Sequence, residues 1–157
     1  MRKIGPQLCG RAAIMDARTH VPGRFRMARI IVIDDDPTTL SAARALLEKL
    51  GHEAITAESG TEGVESYLAF EPDLVLTDIF MPHQDGFETM KRLKALNPQA
   101  RVVCMSIGPN RLIDAVAVRD TMLRFATEFG ADGSLTKPLH IGDLRDTIDK
   151  VLKADAA

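Results

Sequence analysis

The sequence predicts an α/β fold, a parallel sheet of five strands with helices on both faces. Three observations predict it. Short β-branched or apolar runs occur five times, and each is followed by a segment of helical spacing. That alternation implies parallel pairing through right-handed crossovers. In the third run, Asp73-Leu74-Val75-Leu76-Thr77-Asp78, apolar residues stand at successive rather than alternate positions. Such a strand is covered on both faces. Finally, 157 residues with 45% apolar and 27% charged side chains suit one globular domain with a proper core.

Each element has its own local signal. Arg29 to Ile33 is the first strand, and Asp36-Pro37 after it makes a good helix start, with an N-cap acid and proline in the first turn. Leu40, Ala43, Leu47 and Leu50 give that helix its apolar side, and Gly51 closes it. Glu53 to Ala57 reads as the second strand. Ser59-Gly60-Thr61-Glu62 has the form of a capping box, with Val64, Tyr67 and Leu68 as the apolar side of the helix it opens. Pro72 ends that stretch before the third strand, which delivers Asp78 to its carboxyl end and then turns through Pro82 and Gly86. Phe87, Met90 and Leu93 mark a third helix that ends near Asn97-Pro98. Arg101 to Met105 is the fourth strand, landing on Ser106. A loop through Gly108-Pro109-Asn110 leads into a helical region ending with Met122, Ala126 and Phe129. Gly133 to Thr136 is the fifth strand and runs into Lys137-Pro138. Ile141, Leu144, Ile148 and Val151 give the last helix an apolar stripe.

Composition removes several function classes. Aromatics are scarce and Trp is absent, so a stacking platform for single-stranded nucleic acid is not expected. No apolar run reaches the roughly 20 residues that span a bilayer. The four histidines lack metal-ligand spacing, and of the two cysteines, Cys9 and Cys104, the latter lies in an apolar strand. It reads as the reduced, buried thiol of a cytoplasmic protein. The charge is uneven: residues 1–27 carry six basic side chains against Asp16 alone, on a chain whose net charge is −2. Without helical period or signal-peptide core, this segment is expected to be an unstructured basic leader, with Met27 a candidate translation start.

Parallel strands bring the carboxyl ends of strands one, three, four and five to one rim, where chemistry collects in open α/β sheets. That rim receives Asp34 and Asp35, Asp78, Ser106 and Lys137. Singly, each has an ordinary role as helix cap, turn former or surface charge. Together they suggest chemistry. Two full charges about 4 Å apart repel by on the order of 4 kcal/mol at an effective dielectric near 20. A hard dication relieves converging carboxylates, and Mg²⁺ takes one or two of them, keeps several waters and couples to phosphate. A hydroxyl and an ammonium suit phosphoryl oxygens, and a carboxylate is itself a nucleophile for phosphorus. The set therefore points to Mg²⁺-dependent phosphoryl transfer onto an aspartate.

These motifs resemble the receiver (response regulator) domain of two-component signalling. The resemblance runs from about Arg29 to Leu152. It rests on Ile31-Val32-Ile33-Asp34-Asp35-Asp36-Pro37, Asp78-Ile79-Phe80-Met81-Pro82-His83-Gln84-Asp85-Gly86, Ser106 and Lys137-Pro138. It implies a flavodoxin-like, doubly wound sheet of order 2-1-3-4-5, with residues 28–153 as the domain and 154–157 as a short tail. By the same resemblance Asp78 is the phospho-acceptor, supplied by a histidine kinase, a histidine phosphotransfer protein or a small acyl phosphate. Asp35, Asp78 and the backbone carbonyl of Phe80 bind Mg²⁺, while Asp34 holds a metal water. Ser106 moves toward the phosphoryl group, Lys137 pairs with it, and the Lys137-Pro138 bond is often cis. A stand-alone receiver of this kind is not an enzyme in the usual sense, although it assists its own phosphorylation and dephosphorylation. It signals to a downstream protein by contact, without direct DNA binding and without a membrane.

Three positions depart from the family pattern. Ser134 stands where an aromatic usually precedes the lysine by three residues. The segment from Ser106 to Lys137 is longer than the norm, with the extra length around Gly108 to Asp120. Phe80 and Gly108 replace polar side chains that often orient the hydrolytic water. Two other readings use the same residues. Asp34-Asp35-Asp36-Pro37-Thr38 also fits the nucleophile motif of haloacid-dehalogenase-like phosphatases, with Asp34 as nucleophile and Asp36 as acid. A receiver-like binding module that does not use phosphorylation is the other.

Overall fold

The computed structural model describes residues 27–81, 86–107, 124 and 126–153. Residues 1–26, the extra length around 108–120, Met122 and the tail at 154–157 lie outside the described residues, so the expectations for them stand as made. Among the described residues the elements are β1 (Arg29–Ile33), α1 (Pro37–Lys49), β2 (Glu53–Ala57), α2 (Gly60–Phe70) and β3 (Leu74–Asp78). They are followed by α3 (Gly86–Leu96), β4 (Val102–Ile107), β5 (Gly133–Lys137) and α4 (Ile141–Lys153). The five strands form one sheet of order β2-β1-β3-β4-β5, and every pairing is parallel. This is the flavodoxin-like arrangement.

Successive residues of a strand point to opposite faces, which divides the core in two. Ile30, Val32, Leu74, Leu76, Val103 and Met105 pack on one side with Leu40, Ala43 and Leu47 of α1 and Leu144, Ile148 and Val151 of α4. Ile31, Ile33, Val75, Val102 and Cys104 pack on the other with Val64 of α2 and Met90 and Leu93 of α3. β3 is buried at all five positions. Its unbroken apolar run is thus explained by helices on both sides.

The helix starts follow their sequence signals. Asp36 caps α1, its side chain accepting from the Thr38 amide at 3.0 Å and the Thr39 hydroxyl at 2.8 Å. Those bonds hold the Asp36 carboxyl below its usual range, the Thr39 bond first. Ser59 caps α2 through the Glu62 amide, but Glu62 reaches back to the Glu58 amide rather than to Ser59. Two apolar expectations need correction. Leu68 is 62% exposed, because the buried line of α2 runs through Gly60, Gly63 and Val64 and leaves Leu68 beyond its edge. Ile141, in the first turn of α4, is 37% exposed, and only Leu144, Ile148 and Val151 of that stripe are buried.

At the opposite rim from the strand ends, two aspartates perform the same task. Asp73, just before β3, accepts from the Arg29 amide of β1 at 2.9 Å. Asp132, just before β5, accepts from the Val102 amide of β4 at 2.8 Å. Each satisfies the first amide of the neighbouring strand.

Gly86 opens α3 and closes the loop from β3. Its amide donates to the Ile79 carbonyl at 2.9 Å. A Cβ at this position would lie 2.0 Å from the Asp78 carbonyl oxygen and 2.8 Å from the Ile79 Cα. Both are backbone atoms and cannot swing aside, so the cost of overpacking applies, about 1–3 kcal/mol or more. Gly86→Ala is expected to lower the urea midpoint at unchanged m-value, with the change centred on the turn after Asp78. An unchanged midpoint would show that the close approach is not needed.

Candidate functional site

The carboxyl ends of the strands form the site. β1 ends at Ile33, so the next residue, Asp34, stands at the rim between β1 and β3. It is fully buried, whereas Asp35 beside it is exposed. Asp34 Oδ1 accepts from the Asp36 amide at 2.9 Å, and the Asp34 amide donates to the Ala57 carbonyl of β2 at 3.1 Å. The acid is thereby fixed by its own turn and by the neighbouring strand. Asp78, the last residue of β3, is 3% exposed. Its Oδ1 accepts from the Phe80 amide at 3.3 Å, which orders the short turn that contains the Phe80 carbonyl.

Lys137, the last residue of β5, reaches across β4 to both acids. Its Nζ lies 2.5 Å from Asp34 Oδ2 and 3.0 Å from Asp78 Oδ2. Both are short ion pairs, so one ammonium holds the two buried acids. Burial works to lower the Lys137 ammonium, but its contacts with the two carboxylates outweigh that and hold it above its ordinary value. Burial pushes the Asp78 carboxyl above its usual range; Lys137 opposes the shift and Asp34 adds to it. The peptide bond between Lys137 and Pro138 is cis.

Ser106 is half-buried on β4, one residue past Met105, the register partner of Asp78. The same strand pairs Ser106 with Thr136 and Ile107 with Lys137, so hydroxyl and ammonium share a rim. Ser134 is exposed on the edge strand, and Phe80 is 55% exposed at the mouth. Gly108 lies outside the described residues.

Asp34, Asp35 and Asp78 each offer a carboxylate oxygen within 4.8 Å of the others. Among the described residues one ammonium, that of Lys137, stands against them. The set fits a hard dication, being all-oxygen and in excess of its cation. The chemistry such an arrangement supports is phosphoryl transfer. A carboxylate oxygen is a nucleophile for phosphorus, and the Lys137 ammonium lies 3.0 Å from that of Asp78.

The phosphatase reading does not fit this geometry. Asp36, its required acid, is occupied as the cap of α1, and Gly142-Asp143 lies inside α4 rather than after a strand. Cys104 plays no part: burial pushes its thiol up to about 12. What the sequence did not disclose is the role of Gly86, which reads as a turn residue but serves as the close contact beneath Asp78. A glycine following the acid at the start of a helical period was its only signal.

Comparison with known proteins agrees with the geometry. The family described as response regulator receiver domain matches residues 30–149. The chain is 34% identical to the chemotaxis protein CheY of Halobacterium salinarum over 127 residues, 80% of this chain and 98% of that protein. It is 36% identical to the protein PilH of Pseudomonas aeruginosa over 127 residues, again 80% of this chain and 98% of the relative. Among solved structures, a response regulator receiver domain protein from Clostridium thermocellum superposes with a TM-score of 0.70 at 30% identity. That match covers 83% of this chain and 98% of the other.

Proposed function

The chain belongs to the response regulator receiver domain family of two-component signalling, and from that premise we propose that Asp78 is its phospho-acceptor. In this reading residues 28–153 are the receiver, and Mg²⁺ is held by Asp35, Asp78 and the Phe80 carbonyl, with Asp34 on a metal water. The ion supplies charge neutralisation for phosphoryl oxygens. A histidine kinase or histidine phosphotransfer protein is the donor. One Asp78 oxygen attacks phosphorus as the bond from phosphorus to the donor imidazole breaks, and the imidazole keeps the electron pair. The product is an acyl phosphate on Asp78. Lys137 pairs with the new phosphoryl oxygens, and Ser106 donates a hydrogen bond to one of them.

Phosphorylation adds about −1.5 to −2 of charge at this rim. Lys137 and Ser106, on β5 and β4, feel that change first. The signal then passes by protein contact through the surface beside these strands. Ser134 bears no ring to carry it, so the readout lies with Ser106 and Lys137. Among the described residues, no helix is long and apolar enough to cross a membrane, and the reading places the protein in the cytoplasm.

One observation carries this proposal: the Lys137 ammonium contacts both buried acids, Asp78 from a strand two places away and Asp34 from one three places away. The test is intact-mass spectrometry of the full chain after incubation with acetyl phosphate. With Mg²⁺ the expected product carries a single phosphoryl group, mapped to Asp78 by peptide analysis. Chelating the metal with EDTA should abolish labelling. Labelling indifferent to chelation, or mapped elsewhere, would overturn the assignment.

A further inference from the structure

The start of β1 is held from two sides by titratable side chains, far from the rim just described. The Ala28 amide donates to His52 Nδ1 at 3.2 Å, and the Arg29 amide donates to Asp73 Oδ2 at 2.9 Å. Ala28 is fully buried, and its carbonyl is already taken by the Glu53 amide at 2.9 Å. Among the described residues its amide has the imidazole as its acceptor. Only a neutral ring can accept at Nδ1, because the protonated ring donates from both nitrogens.

We propose that His52 is an acid-released latch, closed when neutral and open when protonated, on the point where the chain enters the sheet. Opening leaves a buried amide without an acceptor, a state that folded proteins avoid. Asp149 of α4 and Asp73 before β3 both present negative charge to His52 and favour its protonated form. The other charges nearby are engaged: Arg29 with Glu53 at 3.4 Å, and Lys153 with Asp149 at 3.5 Å.

The direction of the pH response follows. Burial holds His52 below its ordinary value of 6.5, against the opposing pull of Asp149 and Asp73. Between the two values the unfolded chain binds more protons than the folded one. The stabilisation by His52 is therefore complete above 6.5 and is lost as the pH falls through that value toward the folded one. The device is independent of phosphoryl chemistry and would persist if the assignment of Asp78 failed.

Amide hydrogen exchange on the full chain, corrected for intrinsic rates, tests it. Ala28 should keep constant protection above pH 6.5, lose up to about tenfold per pH unit between that value and the lower midpoint of the folded protein, and level off below it. His52→Asn, which offers an amide oxygen near the Nδ1 position, should make Ala28 protection independent of pH. Protection that does not move with pH in the wild type, or moves equally in the variant, would overturn the latch. If the variant fails to fold, the wild type still decides. The Ala28 amide nitrogen shift must follow the His52 ring titration with one midpoint, and two separate midpoints would sink the proposal.

Discussion

Asp78→Asn is expected to remove phosphoryl labelling by acetyl phosphate completely and to raise the melting temperature in Mg²⁺-free buffer at neutral pH. The two effects have one cause. The Asp78 carboxylate is 3% exposed and faces Asp34 as well as Lys137. Burial holds its carboxyl above the ordinary value of 3.8, so the folded state binds protons more tightly than the unfolded state. The stability associated with that proton is present below 3.8 and is lost as the pH rises through the folded value. At neutral pH the ionised acid is thus a burden on the fold. Asn keeps the shape and removes the charge, leaving Lys137 paired with Asp34. A variant that still labels would move the acceptor to another group. One that melts lower without metal would show that Lys137 more than offsets the burial of Asp78.

Lys137→Met should be the most destabilising substitution in the site. The ammonium is 13% exposed, and its partners Asp34 and Asp78 are 0% and 4% exposed at the side chain. Removing one partner of a buried pair leaves uncompensated charge at a cost of about 3–5 kcal/mol. For a domain of this size that corresponds to a melting temperature lower by roughly 10 °C or more. Mg²⁺ should restore part of the loss, since a ligand of the folded state at about 100 times its dissociation constant contributes about 2.7 kcal/mol. Labelling should also fall by about 10²–10³-fold, as when one preorganised donor is taken from a transition state. A melting temperature within ~2 °C of the wild type, by the same conversion, would mean that the two acids do not depend on this lysine.

Much of the fold was legible because its determinants are local. Asp36-Pro37 and Ser59 start helices where they should, since capping is a matter of neighbouring atoms. The boundaries of β1, β2 and β3 follow from their apolar runs. The errors fell where burial depends on how a helix sits on the sheet. Leu68 has helical spacing from Val64 yet faces outward, and Ile141 belongs to an apolar stripe whose first member overhangs the core. The reach of Glu62 to Glu58 rather than Ser59 is a similar case, settled by the shape of the incoming chain.

By itself the sequence determined the α/β class, the family, and the residue types that gather at the carboxyl rim. Those are properties of periodicity, capping and motif spacing along the chain. Tertiary structure alone decided the environment of each charge. Asp34 and Asp35 are adjacent in sequence, yet one is sealed in the core and the other faces solvent, because β1 ends at Ile33 and only the first residue after it still lies against the sheet. It also decided that Lys137 meets both buried acids, and that Gly86 lies against the Asp78 carbonyl with no room for a methyl group. Dielectric environment and close approach depend on neighbours distant in sequence, and only the packed sheet brings those neighbours into contact.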